Sequence, residues 1–145
     1  MHTILLVEDS EDEVFFFTRA FRGIKGPCSL QVVGNGVSAI DYLSGTGSFA
    51  NRQQSPLPSF LLLDIKLPLL DGLEVLQWIR RDSPFKDLPV AILTHCNQMA
   101  DINRARELGA DAYFVKPAGQ QQLNDLLSNI TESWLRCGVF PDLVR

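Results

Sequence analysis

The chain has 145 residues, 46% of them hydrophobic and 21% charged, proportions of one soluble globular domain that exclude disorder and collagen-like repeats. Its 13 basic and 17 acidic side chains give a net charge of -4, and five of the acids (Glu8, Asp9, Glu11, Asp12, Glu13) stand within six positions. The remainder is nearly neutral and has no basic stripe, which speaks against nucleic acid as a partner and for a divalent cation at the acidic focus.

Five short apolar runs are strand-sized and nearly continuous, as strands buried on both faces should be: Thr3 to Val7, Leu30 to Val33, Phe60 to Leu63, Val90 to Leu93 and Ala112 to Val115. Stretches of helical period follow each of them. Val14, Phe17, Phe21 and Ile24 share one face, as do Val37, Ile40 and Leu43, then Leu73, Leu76 and Ile79, then Met99, Ile102 and Ala105. Leu123, Leu126, Leu127, Ile130 and Trp134 form a longer last stripe. Gly23 and Gly26-Pro27 close the first helix, Leu108-Gly109 the fourth and Cys137-Gly138 the fifth. Strict alternation of strand and helix predicts an α/β layer with a parallel sheet and right-handed crossovers.

Ser44 to Ser59, rich in Gly, Ser, Gln and Pro, reads as a surface insertion. The tail from Val139 is apolar (Val139, Phe140, Leu143, Val144) and either packs back or covers a partner. Ile4 to Val7 is far too short for a signal-peptide core or a membrane span. Cys28, Cys96 and Cys137 make neither a disulfide framework nor a metal pattern, so a cytoplasmic location is the default. The neighbours His95 and Cys96 lack the further ligands that zinc needs.

Open parallel sheets bind ligands beyond the carboxyl ends of their strands. The residues there are Glu8 and Asp9 after the first strand, Asp64 after the third, Thr94 after the fourth and Lys116-Pro117 after the fifth. Each alone has a bland reading: acids suit the first turn of a helix, a lone Asp caps a helix, and Lys-Pro marks a turn. Together they supply what phosphoryl transfer requires. Gathered carboxylates call for a counter-charge, Mg²⁺ prefers oxygen ligands, and an ammonium and a hydroxyl can hold phosphoryl oxygens. Asp64 would be the nucleophile.

These residues carry a resemblance to the receiver domain of response regulators in two-component signalling. The matching pieces are Ile4-Leu5-Leu6-Val7-Glu8-Asp9, Leu61-Leu62-Leu63-Asp64 with Leu67-Pro68 and Asp71-Gly72, Ala91-Ile92-Leu93-Thr94, and Gly109 through Pro117. The resemblance implies a doubly wound, five-stranded sheet in the order 2-1-3-4-5 with five helices. Residues 1–136 would form the receiver and 137–145 a tail, with no output domain. It further implies that Asp64 accepts a phosphoryl group from a sensor histidine kinase, that Mg²⁺ is held by Glu8, Asp9, Asp64 and the Lys66 carbonyl, and that Lys116 contacts the phosphoryl group across a cis Lys116-Pro117 bond. Thr94 would then move toward the phosphate and Tyr113 turn inward, reshaping the surface through which the protein signals by contact. Such a protein is a phosphoacceptor that assists its own phosphorylation and dephosphorylation, not an enzyme acting on others. The long connection after the second helix, Trp134-Leu135 and Pro141 resemble stand-alone regulators paired with phytochrome kinases, and the apolar tail and fourth-helix surface are compatible with a homodimer. Three positions depart from the family's usual pattern: Glu8 in place of Asp, His95 beside the threonine, and Lys66 at the mouth. The last two lead to the expectation of an altered phosphate lifetime.

Overall fold

The computed structural model describes residues 2–24 and 26–141. Its elements run β1 (His2–Val7), α1 (Glu11–Arg22), β2 (Cys28–Val33), α2 (Gly36–Ser44), a 3₁₀ turn (Gly47–Phe49), β3 (Phe60–Leu63), α3 (Gly72–Arg81), β4 (Val90–Thr94), α4 (Met99–Glu107), β5 (Ala112–Val115) and α5 (Gln120–Cys137). All pairings are parallel and the strand order is β2-β1-β3-β4-β5, as the resemblance implied.

Alternation along each strand divides the core in two. Leu5, Val7, Leu61, Leu63, Val90 and Ile92 face the side covered by α2, α3 and α4. Ile4, Leu6, Phe60, Leu62, Ala91, Leu93 and Phe114 face α1 and α5, where Phe17, Ala20, Leu123, Leu127 and Ile130 meet them. Burial on both faces is why the strands lack polar alternation.

One helix turns inward a face shifted from the one its periodicity suggested. In α2 the buried residues are Gly36, Ala39, Tyr42 and Leu43, while Val37 is 44% exposed. In α1 Phe17 is buried with Ala20, and Phe21 and, just beyond the helix end, Ile24 pack against the same core, as their spacing predicted. The segment after α2 is folded tightly onto it. Arg52 donates to the carbonyls of Tyr42 and Leu43 at 2.7 Å each, satisfying the end of α2, and the Tyr42 hydroxyl donates to the Pro56 carbonyl at 2.8 Å. The tail turns back at Gly138, in the left-handed region, and sets Phe140 against Phe60. Leu143 and Val144 lie outside the described residues. Among the described residues no helix is long and apolar enough to cross a membrane.

Candidate functional site

Strand order reverses between β1 and β3, because β1 pairs with β2 on one side and β3 on the other. A crevice opens there beyond the carboxyl ends of the strands. The Glu8 N–H bonds the Val33 carbonyl at 3.0 Å and the Asp64 N–H the Val7 carbonyl at 3.3 Å, so ladder bonds carry the backbone straight into the site. Close packing fixes the next turn. A Cβ on Gly72 would stand 2.0 Å from the Asp64 carbonyl oxygen, so only glycine lets α3 begin directly beneath the Asp64 backbone. Asp71 caps that helix, completing a capping box with Glu74.

Lys116 lies at the centre. Its side chain is 3% exposed, and its ammonium donates to a Glu8 carboxylate oxygen and, at 2.7 Å, to Asp64 Oδ2. Glu13 Oε1 stands 3.1 Å from the same nitrogen. Carboxylate oxygens of Glu8, Glu13 and Asp64 all lie within 4.8 Å of one another. At such separations each like-charge pair repels by roughly 4 kcal/mol at an effective dielectric of 20, and one ammonium cannot neutralise three acids.

The protonation equilibria follow. Burial pushes the Asp64 carboxyl up, but the hydrogen bond and charge of Lys116, helped by the Thr94 hydroxyl and the Lys66 N–H, outweigh it and hold Asp64 below its ordinary value. At Glu8 burial wins over Lys116, and the carboxyl is raised. Burial works against the Lys116 ammonium too, yet hydrogen bonds to Asp64 and Glu8 raise its pKa on balance. Neighbouring carboxylates are thus driven in opposite directions, with the more strongly ionised one at the end of the central strand.

A polar hollow of about 480 Å³ opens over Asp64, lined by Asp9, Glu13, Lys66, Thr94 and the loop from His95 to Gln98. Asp9 is exposed on its rim. Lys66 donates its backbone N–H to Asp64 Oδ1 at 3.3 Å. Thr94, at the end of β4, is buried, and its hydroxyl accepts the Cys96 N–H at 3.5 Å. Tyr113 is already turned inward: it is buried and its hydroxyl donates to the Cys96 carbonyl at 2.7 Å. The Lys116-Pro117 bond is trans, since no cis peptide occurs among the described residues. That corrects the cis expectation and matches the trans preference of about 0.5–1 kcal/mol at X-Pro bonds.

The site therefore brings Glu8, Asp64 and Lys116 into direct contact and sets Asp9, Lys66 and Thr94 around the same opening. Glu13 belongs with them, although the sequence offered it only as one of five clustered acids. Its inward aim was available in the helical period, because Glu13 stands four residues before Phe17 and seven before Ala20, the two buried residues of α1.

The fold and this strand-end constellation define a receiver, and sequence comparison agrees: residues 4–128 match the response regulator receiver domain, and the chain belongs to that family. Response regulator Rcp1 of Synechocystis sp. is 30% identical over 138 residues, 95% of this chain and 92% of its own. The Mn(2+)-bound crystal structure of Rcp1 superposes with a TM-score of 0.85 at 29% identity, covering 97% and 99% of the two chains. Response regulator RPA3017, in red light signaling of R. palustris, gives 0.89 at 29% identity over 97% and 99%. The phosphorylated cyanobacterial phytochrome response regulator RcpA gives 0.87 at 32% identity over 98% and 100%.

Proposed function

We propose that this receiver takes a phosphoryl group on Asp64 from the phosphohistidine of a sensor histidine kinase, in a Mg²⁺-dependent reaction, and signals by protein contact. The observation that carries this is the convergence on one carboxylate: Lys116 from β5, Thr94 from β4 and the Lys66 N–H all address Asp64 at the end of β3. An Asp64 oxygen attacks phosphorus, the phosphorus–nitrogen bond breaks, and its electron pair leaves with the imidazole. Asp64 is held ionised for that attack, and the Lys116 ammonium is within reach of the arriving phosphoryl oxygens.

The chemistry of the opening suits a hard divalent cation: oxygens of Glu8, Glu13 and Asp64 cluster there and outnumber the ammonium, and Asp9 and Lys66 line the same hollow as Asp64. Glu8, Asp9, Asp64 and the Lys66 carbonyl would hold it, and when bound it supplies charge neutralisation to the carboxylates and the phosphoryl oxygens. The Mn(2+)-bound form of Rcp1 supports this assignment by similarity. Tyr113 and Thr94 form the switch. Because the inward Tyr113 already has a partner in the Cys96 carbonyl, phosphorylation acts by increasing the population of an existing packing. Likeness to RcpA and RPA3017 points to a phytochrome kinase as the donor.

The test is intact-mass detection of an adduct after incubation with Mg²⁺ and a small acyl phosphate. Asp64→Asn is expected to abolish the adduct and omission of Mg²⁺ to suppress it. An adduct that persists in Asp64→Asn overturns the assignment.

A further inference from the structure

A line of contacts runs from solvent to the floor of the site. A single oxygen of Glu13, Oε1, accepts from His95 Nε2 at 2.7 Å and stands 3.1 Å from Lys116 Nζ, which itself reaches Asp64 at 2.7 Å. The Glu13 side chain is 25% exposed and that of His95 66%, so the pair sits on the rim. Both residues line the polar hollow over Asp64, and both also line a separate cleft of about 270 Å³, largely apolar, walled by Phe16, Phe17, Pro117 and Leu123. Glu13 and His95 are therefore the partition between the two openings, with Lys116 reached from the apolar side.

We propose that Glu13 is a positioning residue for Lys116, and that His95 sets how firmly Glu13 holds it. This rests on the phosphoacceptor reading of Asp64. An ammonium has three donors, and here three carboxylates claim them. Whatever Glu13 holds is withheld from a phosphoryl oxygen, so Glu13 retards the step that Lys116 serves. His95 draws on the same Glu13 oxygen, and an acceptor shared between two donors binds each less tightly than it would bind one. Glu13 and His95 thus act in opposite directions: the acid restrains Lys116 and the imidazole loosens the restraint. A purely steric part for His95, a ring narrowing the mouth, gives a different sign, since truncating it would speed entry whatever stands at position 13.

The experiment is the initial rate of adduct formation with Mg²⁺ and acetyl phosphate, in the full chain, for Glu13→Gln, His95→Ala and the double variant. Glu13→Gln is expected to raise the rate and His95→Ala to lower it, each by about two- to fivefold, the range of partly exposed ion pairs. In the double variant His95→Ala has no further effect. A His95→Ala variant that is faster in both backgrounds, or a Glu13→Gln variant at the parent rate, overturns the proposal. If the parent forms no adduct, the phosphoacceptor reading falls, and urea unfolding decides this one. The His95→Ala shift in midpoint must then vanish with Glu13→Gln and change with Lys116→Met, which removes the ammonium that shares the Glu13 oxygen with the imidazole. A His95→Ala shift indifferent to Lys116→Met overturns it.

Discussion

The two ends of the sheet are built from the same strands on opposite principles. At the carboxyl end, β1 and β3 deliver Glu8 and Asp64 to a buried ammonium that is shared with Glu13, below a hollow open to solvent. At the amino end the same two strands begin with His2 and Phe60. The rings of His2 and Phe60 lie 5.2 and 5.4 Å from that of Trp134, Phe140 packs edge-on to Phe60 at 5.2 Å, and His2 Nδ1 bonds the Ser59 hydroxyl at 2.8 Å. One end carries more acids than its cation can neutralise. The other is built on packed, partly buried aromatic rings. The amino end is therefore stabilised by aromatic packing, while the carboxyl end carries unneutralised charge that a bound cation would relieve.

The largest effects should separate the ends by mechanism rather than by size. Lys116→Met leaves three clustered carboxyl groups without their ammonium and is expected to cost about 3 kcal/mol or more at neutral pH. Phe60→Ala opens a cavity beneath Trp134 and Phe140 and should cost about 3–5 kcal/mol. Millimolar Mg²⁺ distinguishes them, because a cation that binds only the folded acids stabilises by mass action. Urea unfolding of Lys116→Met should recover in Mg²⁺ by more than unfolding of Phe60→Ala does. Equal responses in the two variants would dissolve the contrast between the ends.

A smaller effect concerns acid. The folded pKa of Asp64 lies below its ordinary value of 3.8, so its contribution to stability is complete above that pH and is lost as pH falls through the folded value. Glu8 has the opposite sign. Its carboxyl is raised above 4.5, so its contribution is greatest when protonated and declines as pH rises through that region. Asp64→Asn removes the first slope. Thermal unfolding below pH 3.8 should then decline less steeply in Asp64→Asn than in the parent, while Phe60→Ala keeps the parent's slope. Parallel curves for Asp64→Asn and the parent would show that Lys116 does not favour the ionised form of Asp64.

What the sequence disclosed also differs between the ends. Strand-end residues are legible because a run such as Phe60-Leu61-Leu62-Leu63 places its successor at the rim of any parallel sheet, so Asp64, Thr94 and Lys116 followed from position alone. Glu13 did not, because a helix assigns its faces by packing. The stripe of Phe17, Phe21 and Ile24 does pack on the core, but the small Ala20 gave too weak an apolar signal to extend that face back to Glu13. The same weakness hid Ala39 in α2 and overvalued Val37, and Met99 of α4, counted as core, is 59% exposed. The fold of residues 44–59 onto α2 depends on Arg52 finding three carbonyl oxygens, a specific geometric fit that composition does not encode.

The smallest effect belongs to the tail, where the sequence left two alternatives open. Gly138 reverses the chain, the Ser133 hydroxyl donates to the Val139 carbonyl at 2.9 Å, and Phe140 comes to rest half-buried on Phe60. Packing back on its own domain accounts for Phe140. An edge-to-face aromatic pair of this kind is worth about 0.5–1.5 kcal/mol beyond burial, so Phe140→Ala should lower stability by about 1–2 kcal/mol in urea unfolding. Nothing in the acidic end touches Phe140, and distant sites add independently, so the rate of adduct formation should stay at the parent value. A changed rate would mean that β3 transmits the state of its amino end to Asp64, four residues along from Phe60. The two ends would then be one cooperative device, and the division of labour between them would fail.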